Sequence, residues 1–393
     1  MWISSKCKSH GVACITLVLL ASSVAALAQA PDNAALLYYQ AFLLYEKPDE
    51  ATDKMLNQFR HGEIAANEAI AKHLEQNRRT IDTVVRAANT DKCDWGYDYS
   101  LGVELTMPNL AKVRGLAFLL STDARWLAGQ GDDQTALDRC VTLRKMALHV
   151  CDKTLISYLV GVAVDALANS ATEDVLGAVS PDAGALSQFK SDLTQIAGRF
   201  PSSASCLAQE AEVCVLTMTR DAMQVQIQMA REMADAEVIE RIEQGDEAFF
   251  QRNRAYYLST IEKLTAVLEA DQGYAQTCAA FDDLGQQLNE QMRDNPDATL
   301  ACLALSPASV RRIYQLALRR QTHFNAVMAA IDVYLALAQQ GQLPATLPAD
   351  APPDLFSGKL FAYARTDEGF TLRCQAREVP DKDPYEYEFK VSK

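Results

Sequence analysis

The stretch Cys93-Asp94-Trp95-Gly96-Tyr97-Asp98-Tyr99 carries the densest set of reactive and ligand-binding side chains in the chain. Two carboxylates four residues apart are the raw material of an acid–base pair, one protonating a leaving group while the other activates water. The same carboxylates beside flat rings also suit a cation or a sugar. Asp94 and Asp98 are therefore the candidate catalytic residues, and Trp95, Tyr97 and Tyr99 the candidate ligand-binding residues. The structural alternative, in which the rings plug a groove and Cys93 joins a disulfide, needs fewer assumptions.

Other chemistry is sparse. No G-x-S-x-G, H-E-x-x-H, P-loop, dinucleotide glycine fingerprint or EF-hand loop occurs. His61, His73, His149 and His323 each stand alone within or beside an expected helix, with no ligand partner at i+4, and no C-x-x-C occurs. No metal and no cofactor is expected. Asp165 is the one carboxylate of the run LISYLVGVAVDALA, and it lines up with Ser157, Gly161 and Asn169 at a spacing of four. That pattern reads as a narrow, partly solvated polar stripe rather than a catalytic acid.

The N-terminus points to a compartment. Lys6 and Lys8 precede an apolar run over 12–28 that ends Ala26-Leu27-Ala28, an A-x-A cleavage pattern. Residues 1–28 are thus expected to be a signal peptide, Gln29 the first mature residue, and the protein exported to a periplasmic or extracellular space. The alternative is an uncleaved N-terminal anchor helix, for which this run is short; after cleavage no transmembrane span is expected. Eight cysteines then remain, an even number that suits either disulfides or buried free thiols. Cys206 and Cys214, if on one helix, lie about 12 Å apart and cannot pair. The formal charge of −14 argues against nucleic acid or an anionic membrane surface as a general partner.

The elements that would position these residues are helices. Gly and Pro are scarce, and apolar residues recur at helical spacing through most of 29–341. The run NAALLYYQAFLLY after Asp32 is apolar nearly all round, as a helix wrapped by others would be. One long helix is expected over 63–89 and another over 201–244, the latter with a stripe that includes Val215, Met218, Val225, Met229 and Ile239. Residues 90–107 break the pattern and form an irregular loop. The stretch 108–169 reads as three consecutive helices, the first two forming a hairpin similar to a single tetratricopeptide unit, with no second copy at a fixed period. At 342–393 a Pro-rich linker leads into KLFAYART, FTLRCQA and YEYEFKV, three short strands that must pack on something to be stable. The expected fold is mainly α, an irregular multi-helix array with a small C-terminal antiparallel β appendage. Its divisions are 1–28, 29–341 and 342–393.

Asp354-Leu355-Phe356-Ser357-Gly358-Lys359-Leu360-Phe361-Ala362-Tyr363, followed by Gly369-Phe370-Thr371-Leu372, resembles a D-P-F-S-G-K-P-F-x-Y…G-F-x-L tail. That tail ends uncharacterised secreted helical proteins of planctomycete-type bacteria, with Leu355 and Leu360 here at the two Pro positions. Asn33 to Ala41, Leu116 to Arg125 and Thr154 to Val160 are similar to further segments of those proteins. The tail also loosely resembles the C-terminal β part of type II secretion pseudopilins, whose N-terminal helix has no counterpart here. The resemblance implies export and a helical body, and no activity. The functional expectation is a non-enzymatic protein-interaction or envelope-associated scaffold with a protein or envelope partner. The alternative is a sugar-binding or hydrolase-like protein that uses the loop at 93–99.

Overall fold

The computed structural model describes residues 31–391 apart from 181, 224–226, 228–235, 271, 293–294, 305–306 and 380. The expected signal peptide lies outside the described residues. The fold is mainly α, with one small antiparallel sheet at the C-terminal end.

Side-chain caps start the first helices. Asn33 accepts from the Ala35 amide at the head of α1 (Ala34–Leu44), Asp49 from Thr52 at α2 (Glu50–Arg60), and Asn67 from Ala69 and Ile70 at α3 (Glu68–Gln76). The single helix expected over 63–89 is two, α3 and α4 (Arg78–Ala88), parted at the buried Asn77. The Asn77 carboxamide accepts from the Glu46 amide at 3.0 Å and donates to the carbonyls of Glu46 and His73, both at 3.1 Å. A side chain spent on closing a distant backbone corner is invisible to helical periodicity.

The stretch 108–169 does hold three helices. They are α5 (Pro108–Gly129), α6 (Asp133–Val150) and α7 (Leu155–Ala178), packed on one another in the main core. Gly131, at φ 77°, turns the chain between the first two. α7 is long and apolar enough to cross a membrane, yet 56% of its most apolar window is buried, against α5, α6 and later elements. α8 (Ala183–Ala197) leans on α6. The long helix expected over 201–244 ends instead at Thr217, giving α9 (Ser203–Thr217) and, later, α10 (Ala236–Gln244). At the break Arg254 takes the Met218 carbonyl at 2.8 Å, which satisfies a helix-end acceptor that a continuing helix would have used. Val225 and Met229 of the expected stripe lie outside the described residues; Met218 and Ile239 are core.

α11 (Glu247–Glu269), α12 (Tyr274–Met292) and α13 (Thr299–Ala304) build a second core with α9. α14 (Pro307–Gln340) joins the two, because its Val310 packs in the second core while its residues from Phe324 to Tyr334 fill the first. At about 1.5 Å per residue this helix spans roughly 50 Å.

Strands β1 (Ala362–Arg365), β2 (Gly369–Arg373) and β3 (Glu386–Lys390) form the sheet in that order, with Tyr363 opposite Leu372 and Phe370 opposite Phe389. Phe370, Leu372 and Phe389 join the same core as Ile331 and Val333 of α14. The sheet is thus stabilised by the helices, as its size requires. The Asp354–Lys359 turn before it is built on a fully buried carboxylate. Asp354 accepts from the amides of Phe356 (2.9 Å) and Gln375 (2.8 Å) and from the Ser357 hydroxyl (2.7 Å).

The polar stripe of α7 is not solvated, contrary to expectation. Asp165 is 2% exposed, and Ser157 and Asn169 are fully buried. The Asp165 carboxylate sits between Arg144 of α6 (3.1 Å) and Arg320 of α14 (2.8 Å). Those cations come from 21 and 155 residues away, so the local spacing of four could not reveal them. Nor is α1 wrapped on all sides. Leu36, Tyr39 and Leu43 face outward at 56, 41 and 87% exposure, and they recur at i, i+3 and i+7.

Candidate functional site

The loop at 90–99 is tied to the head of α1. The Asn33 side chain donates to the Asp94 carbonyl and accepts from the Asp94 amide, both at 2.9 Å, and the Ala34 amide donates to the Lys92 carbonyl at 2.8 Å. These bonds bring Trp95 under α1. Trp95 is 4% exposed, stacked on Tyr38 at 5.4 Å and edge-on to Tyr39 at 5.8 Å, and its Nε1 donates to the His149 carbonyl at 2.7 Å. An indole buried in this way offers no face to a sugar.

Asp94 and Asp98 are exposed, and each is engaged in a local turn. Asp94 accepts from the Gly96 amide at 3.0 Å, with Gly96 at φ 71°. Asp98 accepts from the Ser100 amide and hydroxyl, which hold its carboxyl below the ordinary range, hydroxyl first. A general acid needs the opposite shift. Tyr97 and Tyr99 are half-buried and donate to Asn109 (2.8 Å) and Asp152 (2.6 Å), so both hydroxyls are satisfied within the protein. The five candidate residues share one loop, with the indole buried, both phenols half-buried and both carboxylates at the surface.

Of the two alternatives for the cysteines, Cys93, Cys140, Cys151, Cys206, Cys214, Cys278 and Cys374 follow the second: they are free thiols, and Cys93 joins no disulfide, contrary to the structural reading of its loop; the Cys302 side chain lies outside the described ones. Burial pushes Cys93, Cys140 and Cys206 up to about 12, so they stay protonated and poorly nucleophilic. Among the described residues no group of three His, Cys, Asp or Glu side chains could hold a metal ion. His61 contacts the Asn57 carbonyl four residues back, and His323 on α14 contacts Glu173 on α7 at 3.0 Å.

A concave surface that sequence reasoning missed lies where the α1–α2 corner faces α5. It is a groove of about 780 Å³, lined by Phe42, Tyr45 and Phe118, with Arg60, Lys112 and His73 among its polar groups. The Arg60 guanidinium lies 4.6 Å from the centre of the Phe118 ring and the Lys112 ammonium 5.7 Å from that of Phe42. Burial lowers Arg60 and His73 and raises Tyr45, so three titratable groups are perturbed in one place. Phe42 lies on α1, Arg60 and His73 on α2 and α3, and Phe118 on α5; only the packing of four helices assembles the groove, and no local motif marks it. No family model matches the chain, and none of the curated proteins or solved structures does, so geometry and sequence alone bear on function.

Proposed function

We propose that the chain is an exported, non-enzymatic helical scaffold that binds a protein or envelope partner. The observation that carries this reading is the outward stripe of α1, where Leu36, Tyr39 and Leu43 stand exposed on a helix otherwise packed in the core. Large apolar side chains in register on one helix face cost solubility unless something covers them. The way the 93–99 loop is used agrees with it: its carboxylates cap turns, its indole is buried, and its phenols bond within the protein. Export rests on the basic and apolar N-terminal run and its A-x-A end.

Site-specific photo-crosslinking from positions 39 and 43 in the native cell envelope tests the proposal. A discrete adduct that Leu43→Glu removes, at unchanged folded protein level, is the expected result. Turnover of glycosidic, ester or peptide substrates that is lost on Asp94→Ala or Asp98→Ala would overturn it and favour the hydrolase-like alternative. N-terminal sequencing of protein from the cell should begin near Gln29; an intact residue 1 would replace secretion with an N-terminal anchor.

A further inference from the structure

We infer that the groove between the α1–α2 corner and α5 receives a small amphipathic anion, its apolar body against Phe42, Tyr45 and Phe118 and its acidic head at Arg60. Size is the first argument. About 780 Å³ falls within the range of pockets that enclose drug-sized ligands. Three aromatic side chains line it, so an apolar chain or ring gains by entering.

Charge identifies the head. Arg60 is half-buried and donates to two neutral oxygens, Thr122 Oγ1 at 3.3 Å and Asn57 Oδ1 at 3.1 Å. Among the described residues it has no carboxylate within ion-pair distance, and the same holds for Lys47, Lys112 and Arg114 around the groove. A half-buried guanidinium in an aromatic setting with no carboxylate in direct contact is preorganised to receive an anion, because much of the cost of its desolvation has already been met by the fold. Glu50 and Asp53 also line the groove and are exposed, as are Lys47, Lys112 and Arg114, and Asp53 attracts the Arg60 guanidinium without pairing with it. Four cations against two carboxylates leave the groove with an excess of positive charge on a chain of net charge −14, and that excess favours an acid over a cationic ligand.

The experiment is calorimetric titration of the purified protein with decanoate, decyl phosphate, decanol and decyltrimethylammonium, each below its micellar concentration. Saturable binding of decanoate or decyl phosphate is expected, with decanol weaker and the cation weakest; which of the two anions binds tighter tells a carboxylate head from a phosphate one. Arg60→Gln should weaken anion binding by about tenfold or more, the order of one charge-assisted contact. Gly115→Leu gives a second, independent arm. A Cβ at Gly115 would stand 3.4 Å from the Tyr45 ring, at the near limit of ordinary contact, so the rest of a leucine side chain takes up groove space, and leucine favours helix over glycine. It should abolish binding while circular dichroism and melting temperature hold. The inference falls if neither anion saturates, if the cation binds as tightly as the anions, or if both variants bind like the parent protein.

Discussion

Trp95 and His149 are held together twice. The indole Nε1 donates to the His149 carbonyl at 2.7 Å, and the imidazole Nδ1 lies 3.1 Å from the hydroxyl of Tyr38, the ring on which the indole stacks. Residues from α1, the 90–99 loop and the end of α6 thus share one buried contact. Trp95→Ala should cost about 3–5 kcal/mol, the range for emptying a buried aromatic site. Trp95→Phe refills much of the volume but strands the His149 carbonyl, at about 1–3 kcal/mol. Urea midpoints measure both. A ligand-stacking tryptophan would behave otherwise, with alanine changing binding and leaving the midpoint where it was.

His149 itself makes the fold acid-sensitive. Burial first, and then Arg199, lowers its pKa from 6.5 to about 4. Between those values the unfolded chain binds a proton that the folded chain refuses. Stability is therefore complete above about pH 6.5 and declines as the pH falls toward 4, by on the order of 3 kcal/mol in all. An NMR titration of the His149 ring should place its midpoint near 4, and His149→Gln should flatten the urea midpoint's slope between pH 6.5 and 4.5. A ring titrating near 6.5 in the folded state removes the argument.

How far the sequence could be read follows from where each residue's partner lies. Helical caps at Asp49 and Thr154, the Gly131 turn and the three C-terminal strands depend on neighbours a few residues away and are legible, whereas the first cap, which the sequence places at Asp32, is Asn33. Asn77 is not, because its carboxamide acts on Glu46, 31 residues back. Asp165 shows the same limit. Its i, i+4 neighbours are polar, as a solvated stripe would be, while its real environment is two arginines on other helices. Among the candidate site residues, the types in the 93–99 loop suggested catalysis, but local turn bonds to Gly96 and Ser100 engage both carboxylates. The groove at Arg60 has no linear signature at all.

The Arg144–Asp165–Arg320 cluster places one carboxylate between two buried guanidiniums, each also lying over a ring, Phe324 at 4.4 Å and Phe200 at 4.1 Å. Asp165→Asn keeps the shape and leaves both cations without a counter-charge. A loss of about 3–5 kcal/mol is expected, since breaking a buried ion pair from one side exposes the full desolvation cost. Arg320→Met in the Asp165→Asn background should recover part of it, because one of the two stranded charges is gone. Chemical denaturation of the single and double variants measures this. A single variant within about 1 kcal/mol of the parent would mean that water reaches the cluster and screens it.

Asp354 permits the sharpest comparison, because three donors converge on one fully buried carboxylate. Two of them are the amides of Phe356 and Gln375, which cannot turn away, while the Ser357 hydroxyl can rotate to another acceptor. Asp354→Asn is isosteric, yet whichever way its amide points, an NH2 group must face one of those fixed amides. Asp354→Ala leaves both amides unmet but opens a space that a water can enter. Asparagine is therefore expected to be no milder than alanine, each costing about 2–4 kcal/mol at roughly 1–3 kcal/mol per stranded donor. Hydrogen exchange localises the effect. The Phe356 and Gln375 amides should lose protection in both variants, while the Thr371 and Leu372 amides of β2 keep theirs until the sheet itself unfolds. If asparagine restores parent-like protection at Gln375, the carboxylate's charge is not what holds the turn, and the motif at 354–359 is fixed by its backbone bonds to Lys359 and Gly358 instead.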